Sequence, residues 1–258
     1  AEEGLDLAAL DALLEQGSSA RLLYGVPNFQ NPSGVSYSRA NREALAERLV
    51  RHDLLMVEDD PYGELRFEGE HLPPIAKLAP HSTVLLGSFS KTVVPAFRLG
   101  WMVVPDWLRM KVTIAKQATD LHSNAFSQQV LHRFLTDNSL DAHLEKIKEV
   151  YGRQRAAMEA ALARHCPPGV SYTRPEGGMF LWLTLPPSVS AMALFDEAIK
   201  EFDHAIAADP KFVRAYLNRG WANHRKRQLD RALDAAQAAA HHQRHEGSRL
   251  VDTLNRSE

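Results

Sequence analysis

Leu85-Leu86-Gly87-Ser88-Phe89-Ser90-Lys91-Thr92-Val93-Val94-Pro95-Ala96-Phe97-Arg98-Leu99-Gly100-Trp101 continues an apolar run from Thr83. It breaks into small and hydroxyl residues, then regains apolar alternation from Leu99 to Val103. The run from Thr83 to Leu86 reads as a buried strand, and the break after it as a loop. Lys91 stands in that break. Among apolar and hydroxyl neighbours an amine loses solvation of its charged form, which frees its lone pair to attack a carbonyl carbon. Ser88, Ser90 and Arg98 supply two hydroxyls and a guanidinium, groups that can hold a phosphate dianion. Together they would seat a ligand carrying both an aldehyde and a phosphate. The plainer reading is a surface lysine that follows a strand.

Upstream, Leu5 to Leu14 reads as a short helix ended by Gly17, with Leu7, Leu10 and Leu14 on one face. Arg21 to Pro27 reads as a strand that delivers the chain into Asn28-Phe29-Gln30-Asn31-Pro32-Ser33-Gly34. An asparagine before proline is pushed toward extended geometry, so the Asn31 amide can project from the strand end, into a site or into an ordinary Asx turn. A helix from about Ser38 to His52 follows, in which Leu45 with Leu49 and Ala46 with Val50 give one buried stripe. Leu54 to Gly63 is then a buried strand ending in Glu58, Asp59 and Asp60, carboxylates whose oxygens could bind a divalent cation. Strand, turn, helix, strand and then the lysine strand is the alternation of an α/β domain with a largely parallel sheet. In such sheets functional groups gather at the carboxyl ends of strands, and Asn31, Asp59 and Lys91 each follow a strand in that way.

With those three loops in that order, the chain resembles the fold-type I aminotransferases that use pyridoxal phosphate. The resemblance makes Lys91 the amine that condenses with the cofactor aldehyde, and Ser88, Ser90 and Arg98 part of the phosphate cup. Asn31, in Asn-Pro-Ser-Gly, matches the turn that faces the cofactor's phenolic oxygen. Asp59 and Tyr62 match an Asp-x-x-Tyr spacing in which the Asp pairs with the protonated pyridine nitrogen and the Tyr donates to the phenolic oxygen. The carboxylate is a chemical requirement, because a protonated ring nitrogen lets the cofactor withdraw electrons from the substrate α carbon. Glu58 and Asp60 are then cap or solvent residues, and no metal is expected.

Beyond Trp101, Trp107 to Ala118 and Leu121 to Leu135 read as amphipathic helices, separated by a polar stretch, Asp120 to Asn124, that is exposed near the site or at a subunit contact. A longer helix from about Leu140 to His165 carries Leu144, Ile147, Tyr151, Met158 and Leu162 on one stripe, and Pro167-Pro168-Gly169 stops it. Thr173-Arg174-Pro175 and Glu176-Gly177-Gly178-Met179-Phe180-Leu181-Trp182 resemble the start of the small domain in aminotransferases acting on 2-aminoadipate, aromatic and branched-chain amino acids. Met179, Phe180 and Trp182 read more simply as core strand. From Phe195 the character changes: Phe195-Asp196-Glu197-Ala198-Ile199 is echoed by Leu229-Asp230-Arg231-Ala232-Leu233 at an offset of 34 residues. That is the tetratricopeptide period, and Phe195 to Ala239 resembles the second helix of one repeat followed by a whole repeat, with generic alanine-rich helices as the alternative. About three such units are needed to bury a continuous core, so this piece is expected to lean on something else. His241, His242 and His245 are read as a frayed helix end rather than a zinc site. The expected division is a cofactor-binding large-domain part over 1–136, a linking helix with a partial α+β small domain over 137–190, tetratricopeptide-like helices over 191–243, and a flexible tail over 244–258.

The 258 residues include 30 basic and 32 acidic side chains, a net charge of −2, which leaves no electrostatic footprint for nucleic acid. Cys166 is the single cysteine, the first residues are acidic, and no apolar run approaches a membrane span, so a soluble cytoplasmic protein is expected. The resemblance covers roughly the first three quarters of the chain. The family's ring-stacking aromatic would lie ahead of it and the arginine that grips the substrate carboxylate behind it, and no residue here is assigned to either task. Three readings follow. The first is an aminotransferase working on an amino acid and a 2-oxo acid, able to pair as a homodimer. The second is a scaffold whose helical repeat binds a peptide. The third is an aminotransferase-like regulator of the kind fused to a DNA-binding domain; no such domain is expected here, and Asn-Pro-Ser-Gly suits the enzymes better.

Overall fold

β1 (Leu22–Gly25), β2 (Leu55–Asp60), β3 (Thr83–Ser88) and β4 (Gly100–Val103) form one sheet in that spatial order. The first three strands run parallel and β4 returns antiparallel to β3, so the sheet is largely parallel. These coordinates come from a computed structural model, which describes residues 4–209, 215–220, 222–224, 226 and 227. The chain divides into two compact units, Ala1–Thr184 and Leu185–Glu258.

Within the first unit, α1 (Leu7–Glu15), α2 (Arg39–Arg51) and the short α3 (Ile75–Leu78) supply the helical partners of the sheet. The Ser38 hydroxyl caps α2 by accepting from the Asn41 N–H, which satisfies one of the orphan donors of the first turn. Leu45, Ala46 and Leu49 then bury against Leu54, Met56, Ile75 and Ala79 to make the main core. Val50, expected beside Ala46, is 65% exposed; Arg42, one turn earlier, takes the inner position, so the buried arc is centred on 42, 45, 46 and 49 and Val50 falls beyond its edge.

Strand alternation and register put Tyr24, Val57, Asp59, Leu86 and Met102 on the opposite face of the sheet. That face is open: Tyr24 and Met102 are exposed, β4 is exposed throughout, and of the run expected to be a buried strand only Thr83 and Val84 are buried. Gly87 lies opposite Trp101, and a Cβ there would stand 2.1 Å from the indole ring, so the glycine lets the ring cross the strand.

Three helices follow, α4 (Asp106–Asp120), α5 (Ala125–Asp137) and α6 (Leu140–His165). α5 begins later than Leu121, because Leu121 takes φ +61° and the Asn124 side chain caps the helix at the Ser127 N–H, 2.9 Å away. α6 has the bounds its pattern predicts, from the Ser139 cap to the residue before Cys166. Ile147 and Tyr151 of α6 join Phe67 and Phe180 around a second buried cluster of Phe29, Tyr62 and Leu65. Ion pairs from Arg66 to Glu176 and from Arg155 to Glu68 tie the same segments together. β5 (Ser171–Tyr172) and β6 (Leu183–Thr184) form a two-stranded antiparallel sheet. Met179, Phe180 and Trp182 are not core strand: the backbone turns at Gly178, φ +75°, and leaves Met179 and Trp182 largely exposed.

In the second unit, α7 (Ala191–Ala208) is followed by helical residues 215–220. Asp203, late in α7, pairs with Arg219 at 2.5 Å, and Asp196, early in α7, pairs with Lys226, so the two helices run antiparallel. The second half of the tetratricopeptide-like echo, with His241, His242, His245 and the tail, lies outside the described residues. Among the described residues no helix is long and apolar enough to cross a membrane.

Candidate active site

The parallel strands share one carboxyl edge, and the loops leaving it carry the residues singled out above. β2 sends its three terminal carboxylates to different places. Asp59 lies on the open face and its Oδ2 accepts a hydrogen bond from the Tyr24 phenol at 2.6 Å. That bond, with some desolvation, pushes the Tyr24 phenol up to about 12. Glu58 points the other way and is fully buried, accepting from the Ile75 and Ala76 N–H groups at 2.9 and 2.8 Å. Burial pushes its carboxyl up, against the pull of those two donors. Glu58 is therefore an internal cap of α3 rather than a solvent residue. Asp60 accepts from the Gly63 N–H at 2.8 Å and from the Asn28 amide, and burial raises its carboxyl as well. Alternation thus separates Asp59 from Glu58 and Asp60, and among the described residues no group of three or more His, Cys, Asp or Glu side chains is placed to hold a metal ion.

The loop after β1 is fixed from beneath. The buried Arg42 guanidinium donates to the carbonyls of Pro27, Tyr37 and Pro73 at 2.9, 2.9 and 3.2 Å, and to the Asn28 side chain at 2.6 Å. Through Asn28 and Asp60 this joins the exits of β1 and β2. An arginine in step with Leu45 and Ala46 on an apolar stripe was the sequence signal for this network.

Within the loop, the Gln30 and Gly34 N–H groups close a turn with the carbonyls of Val35 and Gln30 at 2.9 and 2.6 Å. The Asn31 side chain is a hydrogen-bond partner of the Tyr62 phenol, whose pKa burial pushes up and Asn31 pulls down. The Tyr62 ring is buried and meets Phe180 edge-on at 5.5 Å.

β3 ends at Ser88, whose hydroxyl accepts from the Ser90 N–H at 3.1 Å. The Val93 and Val94 N–H groups both close on the Phe89 carbonyl, making a tight turn in which Lys91 is half-buried. Arg98 is exposed with φ +54°, and its guanidinium donates at 3.3 Å to the Pro95 carbonyl rather than to either serine. The fold therefore joins Asn31 with Tyr62 and Ser88 with Ser90 by direct bonds. It sets Asp59, Lys91 and Arg98 on the same sheet edge without a bond to one another. An apolar hollow of about 430 Å³ lies between α6 and the Gly177–Leu183 segment, and none of the seven residues lines it. Tyr24, Asn28 and Arg42 are the polar residues at this edge that sequence reading missed.

A largely parallel sheet with acid, amide, hydroxyl and amine groups on consecutive carboxyl-end loops defines an α/β protein of the open-sheet class, in which that edge is the usual place for a ligand. The sequence profile of aminotransferase class I and II matches residues 1–235. The aromatic-amino-acid aminotransferase 1 of Thermococcus litoralis is 39% identical over 77% of this chain and 49% of its own length. The 2-aminoadipate transaminase of Thermus thermophilus is 38% identical over 82% of this chain and 54% of its own. The crystal structure of the alpha-aminoadipate aminotransferase LysN of Thermus thermophilus, complexed with N-(5'-phosphopyridoxyl)-L-leucine, superposes with a TM-score of 0.73 at 38% identity, covering 78% of this chain and 52% of that one. This chain belongs to the class I and II aminotransferases. It spans about half the length of the curated relatives it matches.

Proposed function

We propose that the protein acts in pyridoxal phosphate-dependent transfer of an amino group between an amino acid and a 2-oxo acid, of the 2-aminoadipate, aromatic or branched-chain type. The observation that carries the reading is one sheet edge bearing a carboxylate, a phenol-amide pair and a Ser-x-Ser-Lys turn on successive loops. The chemistry of that set fits the cofactor: Asp59 for the ring nitrogen, Asn31 and Tyr62 for the phenolic oxygen, Ser88, Ser90 and Arg98 for the phosphate, and the Lys91 amine for the aldehyde. Arg98 has only one exposed hydrogen bond to its own loop to exchange for the phosphate. Bound pyridoxal phosphate supplies an aldehyde for the substrate amine and a ring that accepts the electrons left when the α proton departs. Lys91 Nζ carries that proton, and the Asp59 carboxylate holds the ring N–H against it.

Mixing the purified protein with pyridoxal phosphate should produce the visible absorption of the lysine-bound cofactor. Borohydride should then fix the label on the peptide containing Lys91. Lys91→Ala should abolish the uptake, whereas Asp59→Ala should spare attachment and cripple proton transfer. A colourless wild type, or a label on another lysine, overturns the reading. The antiparallel helix pair of the second unit supports a second reading, a scaffold that binds a peptide through these helices, which a colourless protein would favour. A homodimer and a cytoplasmic location belong to the first reading, and the single Cys166 suits a reducing compartment.

A further inference from the structure

Tyr24 is not among the residues assigned above, yet its phenol makes the hydrogen bond that the structure gives Asp59. The pairing register explains how. Tyr24 sits opposite Val57, two residues before Asp59 on the same face, and a diagonal neighbour at that offset is within reach of an aromatic side chain. The ring is 59% exposed, so apolar burial does not account for its place. Its hydroxyl engages Oδ2 only, and among the described residues Asp59 Oδ1 accepts no hydrogen bond.

We propose that Tyr24 is a positioning residue: it holds one oxygen of the Asp59 carboxylate and leaves the other to accept the ring N–H of a pyridine cofactor. This rests on the cofactor reading above. A carboxylate at a strand end is free to rotate about χ2, and a donor bonded to one oxygen fixes that rotation before the ligand arrives, which lowers the ordering cost of binding. The phenol remains a donor across the working range, since Asp59 raises its ionisation to about 12. Tyr62 is the other titratable group whose charge acts on Tyr24, and it also feels Asp59.

The test compares wild type, Tyr24→Phe, Asp59→Asn and the double variant. In cofactor-free protein, an alkaline titration of tyrosine absorbance should show one phenol ionising at lower pH in Asp59→Asn than in wild type, and that difference should vanish when Tyr24 is also replaced. With pyridoxal phosphate, Tyr24→Phe should weaken binding about tenfold. It should also move the pH midpoint of the visible band in the same direction as Asp59→Asn, by a smaller amount. In the Asp59→Asn background, Tyr24→Phe should change neither quantity further. An unaltered binding constant and midpoint in Tyr24→Phe, or an equal loss in the Asp59→Asn background, overturns the inference while leaving the cofactor reading intact. A wild type that never colours overturns the cofactor reading and this inference with it. An unchanged alkaline titration in Asp59→Asn removes the bond itself.

Discussion

At the scale of single residues, the side chains that matter most for stability near the site are charged and buried. Arg42 spreads its guanidinium over three carbonyls and the Asn28 amide oxygen, the bonds to Pro27 and Asn28 being buried. Arg42→Met should therefore cost about 3–5 kcal/mol in urea unfolding, because those acceptors lose their donor and Asp60 loses a nearby positive charge. Arg42→Lys should recover only part of this, since one ammonium cannot match a forked donor. Glu58 gives a pH signature. Burial holds its folded pKa above the unfolded one, so its contribution to stability is complete below the ordinary carboxylate range and is lost as pH rises through the raised value. Glu58→Gln should flatten the fall in stability between the carboxylate range and neutrality. Asp60, raised for the same reason, should keep some of that slope. Denaturant midpoints measured across pH check both expectations. Glu58 also marks the limit of legibility at this scale: three adjacent acids look alike in a sequence, and only strand alternation with α3 beneath the sheet separates an internal cap from a group on the open face.

At the scale of elements, what could be read was whatever carries its own local signal. The spans of α2 and α6 and the strand-loop order around Asn31, Asp59 and Lys91 are set by neighbours in sequence, and the structure has them close to where the pattern put them. Burial of β3 and β4 was not legible, because an apolar run does not say whether a strand is covered on one face or two. The stretch from Glu176 to Trp182 departs from its pattern for a different reason. Its aromatic residues favour a strand, but the adjacent glycines bring the backbone against Phe29: a Cβ on Gly177 would stand 2.5 Å from the ring, and one on Gly178 2.4 Å from the Phe29 Cβ. Gly178 also needs φ +75°, which an alanine adopts at a cost of about 1 kcal/mol before any clash. Gly178→Ala should thus destabilise the first unit by about 2–3 kcal/mol. Because Phe29 lies two residues before Asn31, it should also raise the cofactor dissociation constant more than Gly17→Ala does, a change at a left-handed glycine with open space around it. Calorimetry and cofactor titration on the two variants separate the effects.

At the scale of the whole molecule, both buried clusters, the four-stranded sheet and all seven proposed cofactor residues fall within Ala1–Thr184. The change in character was legible at Phe195, but the boundary between compact units comes earlier, just after β6, because Thr184 still pairs with Ser171. Between β6 and α7 the chain is irregular, and Pro187 to Ser190 are exposed, with Ser190 serving as the α7 cap. A protease needs an extended, accessible backbone, so elastase should cut at Val189 before it cuts within the sheet. The fragment so released keeps every hydrophobic contact of both clusters. A chain ending at Thr184 should therefore unfold in one cooperative transition and take up pyridoxal phosphate at Lys91 as the full chain does. Circular dichroism melting and borohydride labelling of that shortened chain are the measurements. A broad, uncooperative melt would mean that residues beyond Thr184 are needed for the first unit to fold. A sharp melt without labelling would mean that they complete the cofactor site.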